Sequence, residues 1–195
     1  MVYIGSDRVR SLDECYEYVK TNLKDSRFIH TLGVVSVAKK LADKNGVSQE
    51  KAEIAALTHD IAKNMPKNEM ISLFNKYKIE LSEDEKNTPS LWHSILAPIV
   101  AKEALDIDDE EILSAIRWHT TGKENMSKLD KIIYIADMIE PSRNFDGVEE
   151  IRNTTLNNLD EGVLLGLNHT LKFLLDKNFL IDINTVKARN YLINK

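Results

Sequence analysis

His59 and Asp60 stand side by side in LTHDIAKNMP, residues 57–66, where Ile54, Leu57 and Ile61 mark an apolar stripe. Burying a carboxylate costs several kcal/mol or more unless a cation or hydrogen bonds compensate it. A second carboxylate, Asp137, lies in YIADMIEP beside Ile133, Ala136 and Ile139, and His30 leads the stripe Val34, Val37, Leu41. Any one of these histidines alone reads as a hydrogen-bonded core residue. Two unpaired buried aspartates do not. A divalent cation would compensate both carboxylates while requiring neutral imidazoles, so His30, His59, Asp60 and Asp137 are expected to share a metal ion. Neighbouring helical positions point about 100° apart, which would put that ion over the helix edge between His59 and Asp60.

Such mixed donors favour iron, manganese, zinc or cobalt over magnesium or calcium. The ion would lower the pKa of a bound water and supply hydroxide near a phosphate. His93 and His119 each follow a tryptophan, in PSLWHSILAP and IRWHTTG, and read as further ligands or as donors to an anion. His169, in GLNHTLKFL, has no acidic partner in sequence and reads as structural. No orienting base lies near Ser94, Ser127 or Cys15, so nucleophilic triad chemistry has no support.

The elements that must carry these residues are helices. With 7 glycines and 4 prolines in 195 residues, and apolar residues recurring every three or four positions, an all-α chain is predicted. The spacing predicts helices near 27–44, 49–63, 68–77, 89–105, 109–120, 128–140, 147–157, 160–177 and 185–194. Start signals are Ser11 with Glu14, Asp108 with Glu111, Thr88 before Pro89, and Ser48. Gly46 after Lys44-Asn45 is a stop. Pro98 should kink or split the 89–105 helix. The segment LLGLNHTLKFLL reads as core or as a dimer face.

A net charge of −5 excludes the broad basic field that duplex nucleic acid needs. Cys15 is the only cysteine, which excludes an internal disulfide or thiolate cluster and fits a reducing compartment. MVYIGSDRVR lacks the pattern of a secretory leader, and no window approaches 18 uninterrupted apolar residues. A cytoplasmic protein without a membrane span is expected.

The order His30, His59-Asp60, Asp137 resembles the H…HD…D signature of HD-domain metal-dependent phosphohydrolases. RFIHTLGV, HDIAKNMP, RWHTTG and DKIIYIADMIEPSR are similar to the bacterial YqeK family, symmetrical bis(5′-nucleosyl)-tetraphosphatases, over roughly residues 10–180. The resemblance implies one HD-domain helical bundle over 1–195, with its motif core at about 27–143 and C-terminal helices packed on it. It implies hydrolysis of diadenosine tetraphosphate to two ADP, with one or two divalent ions, iron first. His30, His59, Asp60 and Asp137 correspond to metal ligands. His93 and His119 match positions that hold a second metal or contact phosphate. Arg27, Lys63 and Arg143 match phosphate-contacting positions, and Asp60, Lys63, His93 and His119 would carry the catalytic roles. Lys63 and Arg143 also suit solvated helix ends. Where relatives often place Gly-Ala after the third histidine, this chain has Ala97-Pro98. Other readings are hydrolysis of a mononucleotide, cyclic nucleotide or guanosine alarmone, or nucleotide sensing without turnover; a homodimer is left open.

Overall fold

The computed structural model describes residues 11–194 and contains helices and no strand among them, as the all-α expectation requires. The leader-free reading of residues 1–10 lies outside the described residues. Eleven α-helices follow in order: α1 Leu12–Asn22, α2 Asp25–Asn45, α3 Gln49–Thr58, α4 Lys67–Lys76, α5 Glu83–Asn87, α6 Trp92–Leu105, α7 Glu110–Trp118, α8 Lys128–Ile139, α9 Val148–Asn157, α10 Leu159–Asp176 and α11 Ile183–Ile193. A single 3-10 turn, Pro89–Leu91, precedes α6.

The centre is a layer of α2, α3 and α8, with α7 against α3 and α8 and with α6 against α7. Alanines make the close approach: Ala38 on α2, Ala52, Ala55 and Ala56 on α3, and Ala136 on α8 are all fully buried. Leu41, Leu57, Ile132 and Ile133 fill the space between them. Helices α9 and α10 pack on one another, and α10 covers α8. The N-terminal part of α10 is core through Val163 and Leu167, whereas Phe173 and Leu175 near its end are exposed. LLGLNHTLKFLL thus divides into core and surface.

Several boundaries differ from the sequence reading for local reasons. Ser11 and Glu14 form the expected capping box, and Ser48 caps α3 through the Lys51 amide. Gly46, at φ 67°, ends α2 as expected. The cap of α7 is Asp109, not Asp108; its side chain accepts from the amides of Glu111 and Ile112. Thr88 makes no side-chain cap bond. Pro98 does not split its helix, because α6 runs through it from Trp92 to Leu105; the break falls at the preceding 3-10 turn. Helices α1 and α5 add to the predicted set, each opened by a serine capping box.

The most consequential difference is α3. It stops at Thr58 instead of continuing to 63, and residues 59–64 form a series of tight turns. The Ile61 amide bonds to the Thr58 carbonyl at 3.1 Å, the Lys63 amide to Asp60 at 2.8 Å and the Met65 amide to Ala62 at 3.1 Å. Each spans three residues, the tighter helical turn. His59 and Asp60 therefore project from a tight turn, not from a helix edge.

Close packing of α9 on α10 rests on Gly162, where an added Cβ would lie 2.2 Å from Thr155 Oγ1 and 2.5 Å from Thr155 Cα. Backbone on one side of that clash leaves no rotamer escape. Gly162→Ala should destabilise the protein by about 1–3 kcal/mol, read as a lower midpoint in urea unfolding with an unchanged slope.

Candidate active site

Five helices deliver the His and Asp side chains to one centre, four of them at an end. His30 comes from the second turn of α2, His59 and Asp60 from the end of α3, His93 from the start of α6, His119 from the residue after α7, and Asp137 from the last turn of α8. All four imidazoles neighbour one another in a chain: ring centroids are 5.7 Å apart for His30 and His59, 4.9 Å for His59 and His119, and 5.2 Å for His93 and His119.

A shared local device orients three of them. Nδ1 of His59 lies 2.6 Å from the Ala56 carbonyl, Nδ1 of His93 2.8 Å from Ser90, and Nδ1 of His119 2.7 Å from Ile116. Each acceptor is three residues back. A carbonyl only accepts, so Nδ1 carries the proton and Nε2 keeps its lone pair. For His59 the carbonyl engaged is the one that the Asp60 amide would take in a continued helix, which accounts for the early end of α3. His30 is set differently: its Nδ1 lies 3.1 Å from Oε1 of Glu140.

Every Nε2 then faces a carboxylate oxygen. Asp60 Oδ1 lies 3.1 Å from His93 Nε2 and 3.6 Å from His119 Nε2, and Asp60 Oδ2 lies 3.5 Å from His59 Nε2. His30 Nε2 is 3.0 Å from Asp137 Oδ1. Lone pair against lone pair gives no hydrogen bond. His30 Nε2, His59 Nε2 and Asp60 Oδ1 are buried without a hydrogen-bond partner. Leaving such atoms bare costs about 1–3 kcal/mol each, and a cation between them removes that cost. The donor set fits one: His30, His59 and Asp60 have ligand atoms mutually within 4.8 Å, as do His59, His119 and Asp137, and Asp60, His93 and His119.

Both carboxylates stay ionised despite their burial. Burial would raise the Asp60 carboxyl, but the His59 charge and the imidazole contacts outweigh it and hold the group well below the usual range. Burial likewise opposes ionisation of Asp137, and the His30 contact and the nearby imidazoles overcome it. Burial pushes the His93 imidazole down to about 4, so it is neutral at pH 7. For His59, burial alone would lower the pKa, yet the adjacent Asp60 raises it.

The three predicted cations all reach this centre, and each is paired with an acid or imidazole of it. Arg27 Nη1 donates to Asp60 Oδ2 at 3.1 Å. Lys63 Nζ lies 3.1 Å from His93 Nε2 and 3.8 Å from Asp60 Oδ1, with burial lowering its pKa. Arg143 Nη2 donates to Asp137 Oδ1 at 2.6 Å. Lys63 and Arg143 are thus not merely solvated helix ends. Ala97-Pro98 does not keep His93 away, since its ring contacts Asp60 directly.

Three residues escape a reading of the sequence. Glu140 is 1% exposed; its Oε1 faces His30 Nδ1 and accepts from the Ser142 hydroxyl, and its Oε2 accepts from the Ser142 amide at 2.7 Å. Burial opposes its ionisation, and these Ser142 bonds and His30 lower its pKa. Gly33 makes the room: a Cβ there would sit 2.7 Å from Glu140 Oε2. His169, read as structural, stacks at 4.5 Å on Phe145 and lines a cavity of about 470 Å³ whose wall includes His119, Asp137 and Arg143. The glutamate in DMIEPSR and the glycine in HTLGV were visible, but nothing in their spacing links them.

These features define a hydrolase-type centre of the HD class, and the chain belongs to the HD-domain family, whose model matches residues 27–142. Its relatives are particular. It is 38% identical over 182 residues to a protein of Bacillus subtilis strain 168 named bis(5′-nucleosyl)-tetraphosphatase, symmetrical, covering 93% of this chain and 97% of the relative. A protein of the same name from Halalkalibacterium halodurans is 41% identical, covering 91% and 94%. A crystal structure from Clostridium acetobutylicum, described as an HD superfamily hydrolase involved in NAD metabolism, superposes with a TM-score of 0.92 at 42% identity over 96% of this chain and 99% of that one.

Glu140 holds the His30 tautomer, and partners of this kind typically change metal affinity about 10- to 100-fold when removed. Glu140→Ala should lose bound metal to a chelator at correspondingly lower concentrations, measured by elemental analysis after dialysis. Gly33→Ala should lose it in the same direction, by pushing the carboxylate away. Full retention in both variants would remove the role assigned to Glu140.

Proposed function

We propose that this HD-domain protein hydrolyses diadenosine tetraphosphate symmetrically to two ADP at the His–Asp centre. The observation that carries the reading is the set of bare, buried ligand atoms of His30, His59 and Asp60, beside Arg27, Lys63 and Arg143. The substrate comes from relatives that share nearly the whole chain and bear that activity in their names.

His30, His59, Asp60 and Asp137 would hold one divalent ion, and Asp60, His93 and His119 would hold a second, with Asp60 common to both. Iron is the ion we assign, with manganese, cobalt and zinc as ions the same donors accept. When bound, the metal supplies Lewis acidity and lowers the pKa of water. The chain does the rest. Arg27 and Arg143 offset the tetraphosphate's charge and orient it, replacing part of their present pairing with Asp60 and Asp137. A water oxygen bonds to an inner phosphorus, the central P–O bridge breaks, and the departing ADP keeps the electron pair. Lys63, a third exposed, is placed to give that oxygen a proton and to regain the one the attacking water loses.

The motif core and the C-terminal helices act in this reading as one domain. No helix among the described residues is long and apolar enough to cross a membrane, and a cytoplasmic site matches the nucleotide substrate. A homodimer would use the exposed Leu175, Phe179, Leu180 and Ile183.

Incubation with diadenosine tetraphosphate should release ADP alone on chromatography, and AMP plus ATP would reject symmetrical cleavage. Asp60→Ala should abolish turnover with the helical circular dichroism intact. Lys63→Gln should cut kcat about 10²–10⁴-fold, the usual contribution of a positioned proton donor. Elemental analysis of anaerobically purified protein should find iron, and two ions per chain separate the shared-Asp60 arrangement from a single site.

A further inference from the structure

We propose that the cavity walled by Phe145, His169 and Phe173 is the site for one nucleobase of the substrate. This rests on the reading above, since it names the half of a dinucleotide that the His–Asp centre does not itself contact. The cavity, about 470 Å³, falls within the ~300–1,000 Å³ of small-molecule sites. It is continuous with the centre, because His119, Asp137 and Arg143 form part of its wall.

Its outer wall is aromatic and, unlike the cavity lined by Phe74 and Trp92, it adjoins the His–Asp centre. The Phe145 and His169 rings are 4.5 Å apart and inclined by 36°, and the Phe173 ring, 48% exposed, completes the wall. Phe173 is itself 6.1 Å from the exposed Phe179. Phe145 lies in the loop after α8 and His169 on α10, so two separate elements converge to present one π surface. Flat aromatic faces bind nucleobases by stacking, with little demand on base identity. Polar groups sit beside the stack: Thr170 Oγ1 lies 3.3 Å from the Tyr134 hydroxyl, Thr120 Oγ1 is 3.0 Å from Ser94 Oγ, and no protein hydrogen bond engages the His169 ring among the described residues. A base edge would find both donors and acceptors there.

Position along the substrate follows from Arg143. It lines this cavity and also a second one of about 410 Å³ built from Ser26, Arg27, Ser142 and Asn144. The second is polar, with Arg27 and Arg143 beside Glu140, chemistry for phosphates; Phe145 borders both cavities, and the first adds His169 and Phe173, chemistry for a base. Between them lies the acid pair that Arg143 spans, Asp137 at 2.6 Å and Glu140 at 3.7 Å. A third cavity, of about 360 Å³, lined by Val37, Leu41, Pro141 and Leu156, has neither an aromatic ring nor contact with the centre.

The test uses metal-loaded protein and two probes, ADP and inorganic pyrophosphate, with binding followed calorimetrically so that turnover is not the readout. Phe145→Ala, His169→Ala and the surface variant Phe173→Ala should each weaken ADP by about tenfold or more for a lost stack, and Phe145→Tyr should restore it. Pyrophosphate affinity should stay within about twofold of wild type. Unchanged ADP affinity in all three alanine variants, or equal losses for ADP and pyrophosphate in the surface variant, overturns the base site. A wild-type protein that binds ADP in this pattern but leaves diadenosine tetraphosphate intact overturns the catalytic reading instead.

Discussion

Everything at the centre follows from the compensation of one carboxylate. Asp60 is 2% exposed and is approached by Nε2 of three histidines, by Arg27 and by Lys63. No single contact there could hold it ionised in a low-dielectric interior. The fold therefore brings Arg27 from α2 and Lys63 from the turn after α3 to it as cations, and sets beside it imidazole lone pairs from the ends of α3 and α7 and the start of α6 that could share a metal ion with it. Helix packing alone would never select that convergence; alanine-lined faces of α2, α3 and α8 merely permit it.

The histidines are aimed by backbone, not by neighbours chosen for them. Three of them donate from Nδ1 to a carbonyl three residues earlier, in the last turn of α3, in the 3-10 turn before α6 and in the last turn of α7, where a terminating helix leaves carbonyls without amide partners. That makes the helix terminus both the anchor and the tautomer switch. His30, within α2, has no spare carbonyl of this kind, and a buried carboxylate, Glu140, takes the same role with Gly33 making room for it.

Much of this was readable in the linear chain. Helical periodicity and the Ser11, Ser48 and Gly46 signals placed most elements, and the improbability of two buried aspartates drew His30, His59, Asp60 and Asp137 together. The end of α3 was not readable, because the imidazole that ends it is an apolar-stripe residue by spacing and a cap only by its hydrogen bond. The cap of α7 slipped by one residue because Asp108 and Asp109 offer equivalent oxygens in sequence. His169 looked inert because its partner is an aromatic ring 24 positions earlier, and stacking leaves no spacing rule. Glu140 was hidden for the opposite reason: surrounded by Pro141 and Ser142, it resembles an ordinary solvated helix end until Gly33 is seen opposite it.

The loop after α8 carries Glu140, Arg143 and Phe145, and its shape is set from outside the 27–142 family match. Arg152 on α9 donates to the carbonyls of Ile139 and Glu140 at 2.9 and 2.8 Å and to that of Arg143 at 2.8 Å. Ile139 is the last residue of α8, the Glu140 carbonyl also accepts the Arg143 amide at 3.0 Å, and one planar guanidinium ties both to the Arg143 carbonyl in the loop beyond. The same helix is held against α10 by the contact at Gly162, and α10 supplies His169 and Phe173. The His–Asp motif and the C-terminal helices are therefore coupled through backbone geometry: the motif places the charges, and α9 and α10 fix the loop and the aromatic wall beside them. A change in the packing of α9 on α10 reaches Arg143 by way of Arg152 without passing through His30, His59, His93 or His119.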